Sequence, residues 1–193
     1  MPDASFSAFV RLGIGHIFTG YDHLFFLFGL LLTCARWRGL IAIVTCFTAG
    51  HSLTLALATF DLVNLPPRLT EPLIALTILF VGAENLWRRG EESRERWVLA
   101  LLFGLVHGFG FANVLRELGV GAGGRGIAGP LLGFNLGVEI GQLLFATVVL
   151  GVLWRLRPAP AFARRWVPGL SVIIALAGLY WLIERTLLVS LRP

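Results

Sequence analysis

His16, His23, His51 and His107 are the four histidines of this chain, and each falls in a stretch otherwise apolar enough to cross a bilayer. Asp22 and Glu139 lie in the same kind of surroundings. An ionisable side chain near a bilayer centre costs about 2.5–3.5 kcal/mol even on the gentler insertion scale. Six such groups, in a chain of 193 residues without a lysine, point to a shared purpose. Imidazole and carboxylate suit borderline divalent metals such as nickel, cobalt(II) and zinc, whereas thiolate and thioether suit copper(I). The single methionine is Met1, and Cys34 and Cys46 lack CxxC spacing and read as small apolar fillers. The candidate metal ligands are therefore His16, Asp22, His23, His51, His107 and Glu139. Among Ni2+, Co2+ and Zn2+ these residue types do not choose.

Spacing constrains the site. In GHIFTGYDHLFF, an unbroken helix would set His16 and His23 two turns apart, about 10 Å along the axis, with Asp22 pointing away from His16. A break at Gly15 or Gly20 would bring them together, and freed backbone at that depth is tolerated where it lines a cavity. A shared site thus predicts a bent first helix; a straight one lets at most two of the three bind together. His51 has Thr48 and Thr54 three residues to either side, and His107 has Gly104 and Gly108 making room beside its ring. Asn135, Glu139 and Gln142 share one helical face. Asp22 is either a ligand or an acceptor that orients an imidazole; Glu139 is a ligand, a proton acceptor or a packing partner. Glu84, one turn before Arg88, reads as an i, i+4 ion pair. Glu71 reads as a charge at a helix N-terminus.

Composition dictates the elements that must hold these groups. The chain is 56% hydrophobic and 14% charged, with a mean hydropathy of +0.81. Soluble domains are nearer ~25% charged, and runs of roughly 18 or more apolar residues read as membrane spans. The expected fold is all-α: a polytopic bundle of six transmembrane helices forming a single transmembrane domain over residues 1–193, its first helix long and broken. The spans run from about Ser5 to Ala35, Leu40 to Phe60, Leu69 to Trp87, Trp97 to Leu118, Pro130 to Trp154 and Val167 to Leu188. Trp37, Trp87, Trp97, Trp154 and Trp166 fall at span ends, as interfacial tryptophans do. The N-terminus does not read as a secretory signal peptide.

A net charge of +5 and a pI near 10.5 would suit nucleic acid, but the arginines lie mostly between spans, where they set topology and meet headgroups. Nucleic-acid binding is not expected. Arg36, Arg38, Arg88, Arg89, Arg94, Arg96, Arg155, Arg157, Arg164 and Arg165 share one side, against Arg11, Arg68, Arg116, Arg125, Arg185 and Arg192 on the other. By the positive-inside rule the first side is cytoplasmic and both termini face out. The glycine-rich segment from Gly119 to Gly129 reads as an outer linker, and RRGEESRERW as a solvated inner loop.

Gly133, Gly137 and Gly141 on the fifth span, and Gly104 and Gly108 on the fourth, are spaced for close backbone approach where no hydrophobic effect drives association. A shift of 91 residues lays Gly13 on Gly104, His16 on His107, Asp22 on Asn113, Gly50 on Gly141 and His51 on Gln142. Halves of three spans each would be inverted relative to one another, as in many transporters.

At these residues the chain resembles the HupE/UreJ family of small membrane proteins associated with hydrogenase and urease accessory functions. Its first-span signature, histidine, five residues, then aspartate-histidine, is met by His16, Asp22 and His23. FTAGHSLTL, EPLIALTILFVGAENLW, FGLVHGFGFA and FNLGVEIGQ resemble the second, shorter-motif branch. The better-known branch carries two close histidines and a glutamate on a later span; here His107 stands in HGFGFA without them. The resemblance implies permeation of nickel, or cobalt, across the bacterial inner membrane, with His16, Asp22 and His23 as the metal-handling motif.

Three functions remain open at this level. A divalent-metal permease needs sites weak enough to release the ion. An intramembrane zinc hydrolase would use three histidines, an open fourth position, and Glu139 or Asp22 as general base. A metal-binding accessory protein would hold ions without moving them. The partners implied are a divalent ion and the lipid bilayer, with a homo-oligomer left open.

Overall fold

The computed structural model describes residues 5–88, 95–117, 120, 126–159 and 161–189, without the side chains of 112–114, 116, 117, 188 and 189. Arg89, Arg94, Arg125, Arg192 and most of the two loop segments singled out above lie outside the described residues, as do the side chains of Asn113 and Arg116. Among the described residues every regular element is helical. They are α1 (Phe6–Thr19), α2 (Tyr21–Leu32), α3 (Trp37–Thr59), α4 (Pro67–Trp87), α5 (Arg96–Glu117), α6 (Ala128–Leu156) and α7 (Val167–Val189), the last entered through a π-helical turn at Phe162–Trp166.

α3, α4, α6 and the run Phe162–Leu187 are each long and apolar enough to cross a membrane. α1 and α2 pass the same test only together, and they are bent by 71°. The six expected segments are all helical, and α5 is apolar over Arg96–Phe111. Large apolar side chains such as Leu144, Val148 and Val152 on α6, and Ile173, Leu176 and Leu187 on α7, point outward. In lipid such a surface needs no covering, because hydrocarbon tails are as apolar as leucine.

Glycines decide which helices touch. A Cβ on Gly13 would lie 2.1 Å from the Phe134 carbonyl oxygen, and one on Gly137 2.1 Å from that of Val10, so α1 and α6 meet backbone to backbone. Gly133 and Gly141 face α1 as well. α3 and α5 do the same through Gly50 against Leu101 and Gly104 against Phe47, each 2.3 Å from a carbonyl oxygen. α4 and α7 close through Gly82 on Ala175 and Gly178 on Leu79. Small residues let backbone packing replace the missing hydrophobic force.

These three contacts obey one exchange rule. Swapping α1 with α5, α3 with α6 and α4 with α7 turns Gly13–Phe134 into Gly104–Phe47, and Val10–Gly137 into Leu101–Gly50. It also turns Gly82–Ala175 into Gly178–Leu79. The offset is 91 residues from Gly13 to Gly104, 87 from Gly50 to Gly137 and 96 from Gly82 to Gly178. The uniform 91-residue shift therefore needs correction on α6 by one helical turn: Gly137, not Gly141, does the work of Gly50. His51 consequently corresponds to Val138, not Gln142.

α2 lies at the centre, its Phe26, Leu27, Leu30, Leu31 and Leu32 buried against residues of α3, α4, α6 and α7. The last carbonyls of any helix lack intrahelical donors. Here Asn85 Nδ2 donates to the Gly29 oxygen (2.9 Å), and Arg96 Nη1 to the Gly29 and Leu30 oxygens (3.3 and 3.0 Å). Arg96 is 2% exposed and also bonds Asn85 and Glu84. Counted above as a topological charge, it is instead a buried brace on α2, where a cation complements the negative helix end. The expected Glu84–Arg88 pair forms at 2.7 Å, and Arg96 joins it from the other side (3.4 Å).

Candidate metal centre

Gly20 breaks the first span between His16, in the last turn of α1, and His23, in the first turn of α2. Its φ of −84° and ψ of 87° are open to any L-residue; what it supplies is space. A Cβ there would stand 2.8 Å from both the His16 carbonyl oxygen and His23 Nδ1. With the bend made, the His16 and His23 ring centroids lie 4.6 Å apart. A straight helix would have kept them about 10 Å apart along its axis.

α3 brings His51 into the same space, 6.0 Å from His16 and 6.2 Å from His23 between centroids. One nitrogen from each of the three rings lies within 4.8 Å of the other two. Three nitrogens on one ion at about 2.0–2.1 Å stand at most roughly 4 Å from one another, so small ring rotations complete the geometry. His107, from α5, sits 4.9 Å beyond His23 and outside that triad.

The walls are aromatic. Phe111 and Phe134 flank His16 at 4.2 and 5.4 Å, Phe47 lies 6.0 Å from His51, and Phe26 and Phe47 each lie 5.2 Å from His107. The His16–Phe134 and His107–Phe47 pairs are exchanged by the rule that relates the halves. His51 and His107 are 0% and 1% exposed. Buried ring nitrogens without a hydrogen-bond partner from the protein include His16 Nε2, both of His23 and His107 Nδ1, while His51 has the Asn135 side chain beside it. A buried polar atom without a partner costs about 1–3 kcal/mol. Three convergent imidazoles without thiolate or thioether suit a borderline divalent ion.

The carboxylates are engaged elsewhere. Asp22 Oδ2 accepts from Arg185 Nη2 at 2.8 Å, a partner that sequence reading had assigned to the outer loops. Glu71 is beyond the first turn of α4 and sits against the same arginine, 3.9 Å from its Nε. Glu139 accepts from the Thr45 hydroxyl (3.2 Å), and Gln142 from that of Thr48 (2.9 Å). The polar face of α6 thus packs on α3, apart from its glycine face. Among the described residues the only metal-capable group of three is His16, His23 and His51. Sequence reading missed Thr77, whose Oγ1 is 3.0 Å from His107 Nε2. A threonine in an apolar run carries little signal on its own.

Fold and centre together define a multi-pass helical membrane protein with a buried cluster of histidines at a broken span. A family model described as HupE / UreJ protein matches residues 1–185, and the chain belongs to that family, which is associated with nickel and cobalt handling. Searches of curated proteins and of solved structures return no match.

Proposed function

We propose that the protein is a nickel permease, with cobalt as the other cargo, of a bacterial inner membrane, both termini facing the periplasm. The observation that carries this reading is the convergence of His16, His23 and His51, from three helical segments, within 4.8 Å inside an aromatic box. Such a box strips water from an entering ion, and neutral imidazoles replace that water. Three neutral ligands bind less tightly than a set that includes thiolates or carboxylates, which favours release, as conduction requires. The inverted relation between the halves, with the cluster at their junction, is the arrangement of transporters that handle cargo at a central site.

Orientation follows the arginine count, and Trp37, Trp87, Trp97, Trp154 and Trp166 all belong to the arginine-rich ends of their helices. Ions would enter from the side of Asp22, Glu71 and Arg185, pause at the triad, and leave past His107 towards the end braced by Arg96. Hydrolysis is disfavoured because Asp22 and Glu139, the expected general bases, are held by Arg185 and Thr45.

The experiment is nickel and cobalt uptake by purified protein in liposomes. Uptake above empty vesicles, lost in His23→Ala, is the expected result. Folded protein that binds the ion without flux would instead make it a metal-holding accessory, and no binding at all would remove metal handling from this chain.

A further inference from the structure

The ring of His107 meets a polar partner outside the cluster. Thr77, on α4, faces its Nε2 at 3.0 Å. The same hydroxyl lies 2.7 Å from the Ile74 carbonyl oxygen, one turn back on α4. A threonine hydroxyl has one proton and two lone pairs. A distance of 2.7 Å is the preferred O–H···O length, and a carbonyl oxygen can only accept. The proton therefore goes to Ile74, and the oxygen turns a lone pair towards His107. Nε2 must then be the protonated nitrogen, and Nδ1 carries the lone pair. Nδ1 is buried and has no hydrogen-bond partner, and the His107 ring stands 4.9 Å from that of His23.

We infer that Thr77 is a positioning residue that holds His107 as its Nε2–H tautomer, making Nδ1 a fourth imidazole donor for a divalent transition-metal ion, next to His23. The inference rests on the permease reading for its cargo. Both nitrogens of His23 lack hydrogen-bond partners, so no protein group fixes its tautomer, and its single lone-pair nitrogen is free to stay on the ion while His107 replaces His16 and His51. An ion then passes from His16, His23 and His51 to His23 and His107 by exchanging ligands singly. The relation between the halves adds to this: His107 is the counterpart of His16, so the second station occupies the equivalent place in the other half.

The test is nitrogen-15 NMR of histidine-labelled, metal-free protein in nanodiscs, joined to equilibrium dialysis with nickel. In the wild type and in Thr77→Ser, His107 is expected to show a protonated Nε2 and an unprotonated Nδ1. Thr77→Val, close in shape but without the hydroxyl, should lose that preference and weaken nickel binding by about 10–100-fold, with Thr77→Ser restoring both. A wild-type His107 protonated at Nδ1 would overturn the inference, as would a Thr77→Val variant with unchanged tautomer and affinity. Failure of the wild type to bind nickel would sink the permease reading, while the tautomer still decides the role of Thr77.

Discussion

Arg185, near the end of α7, grips Asp22, in the first turn of α2, with Nη2 and Oδ2 2.8 Å apart across 163 residues of chain. Asp22 adjoins His23, so this ion pair fixes where α2 begins and hence where the His23 ring stands. At its other end α2 is held by Arg96 and Asn85. The short helix that carries His23 is pinned at both ends by groups from α4, α5 and α7.

If Asp22 acts through Arg185, Asp22→Asn and Arg185→Gln should weaken nickel binding to a similar, partial degree. The double variant should be little worse than either, with a coupling of about 0.5–3 kcal/mol in a mutant cycle. Isothermal titration of the three variants checks this. Abolition of binding by Asp22→Asn, with Arg185→Gln unaffected, would make Asp22 a ligand in its own right.

Gly20 is required for the space it leaves beside His23 and not for its backbone angles. Gly20→Ala should therefore fold, keep its helix content by circular dichroism, and bind nickel at least ten-fold more weakly, about 1.4 kcal/mol. Gly15, beside which a Cβ would meet nothing within 4 Å, supplies the control: Gly15→Ala should bind as the wild type does.

Two glycines of α6 should respond oppositely. A Cβ on Gly137 would strike the Val10 carbonyl at 2.1 Å, whereas Gly151 has open space. Gly137→Ala should destabilise by roughly 1–3 kcal/mol through overpacking, and Gly151→Ala should be neutral or slightly stabilising. Thermal unfolding in detergent distinguishes them.

Protons should compete with the ion. A ligating imidazole must be neutral, so acidification far enough to protonate the cluster should release nickel. Binding that holds or strengthens on acidification would point to ligands other than histidine.

Much of this was legible before any fold was seen. Apolar runs bounded by Trp, Pro and Gly marked the helices, and the requirement that His16 and His23 share a site demanded the break that Gly20 makes. The glycine spacing on α6 correctly marked the face that meets α1. Hidden were the relations set by how helices rotate against one another. The hydropathy of α7 says nothing of which residue Arg185 will meet, and an arginine at a span end reads as a topological charge until Arg96 is found capping α2. Likewise, matching glycines by a uniform shift could not detect that α6 is displaced by one turn, because every fourth residue there is again a glycine.

X-ray absorption spectroscopy of the purified, nickel-loaded protein tests the central claim most directly. The expected spectrum contains at least three imidazole nitrogens at about 2.0–2.1 Å and no sulfur, with one imidazole lost in each of His16→Ala, His23→Ala and His51→Ala that still binds. Nickel held by a shell unchanged in all three variants, or not retained by folded wild-type protein, would contradict it.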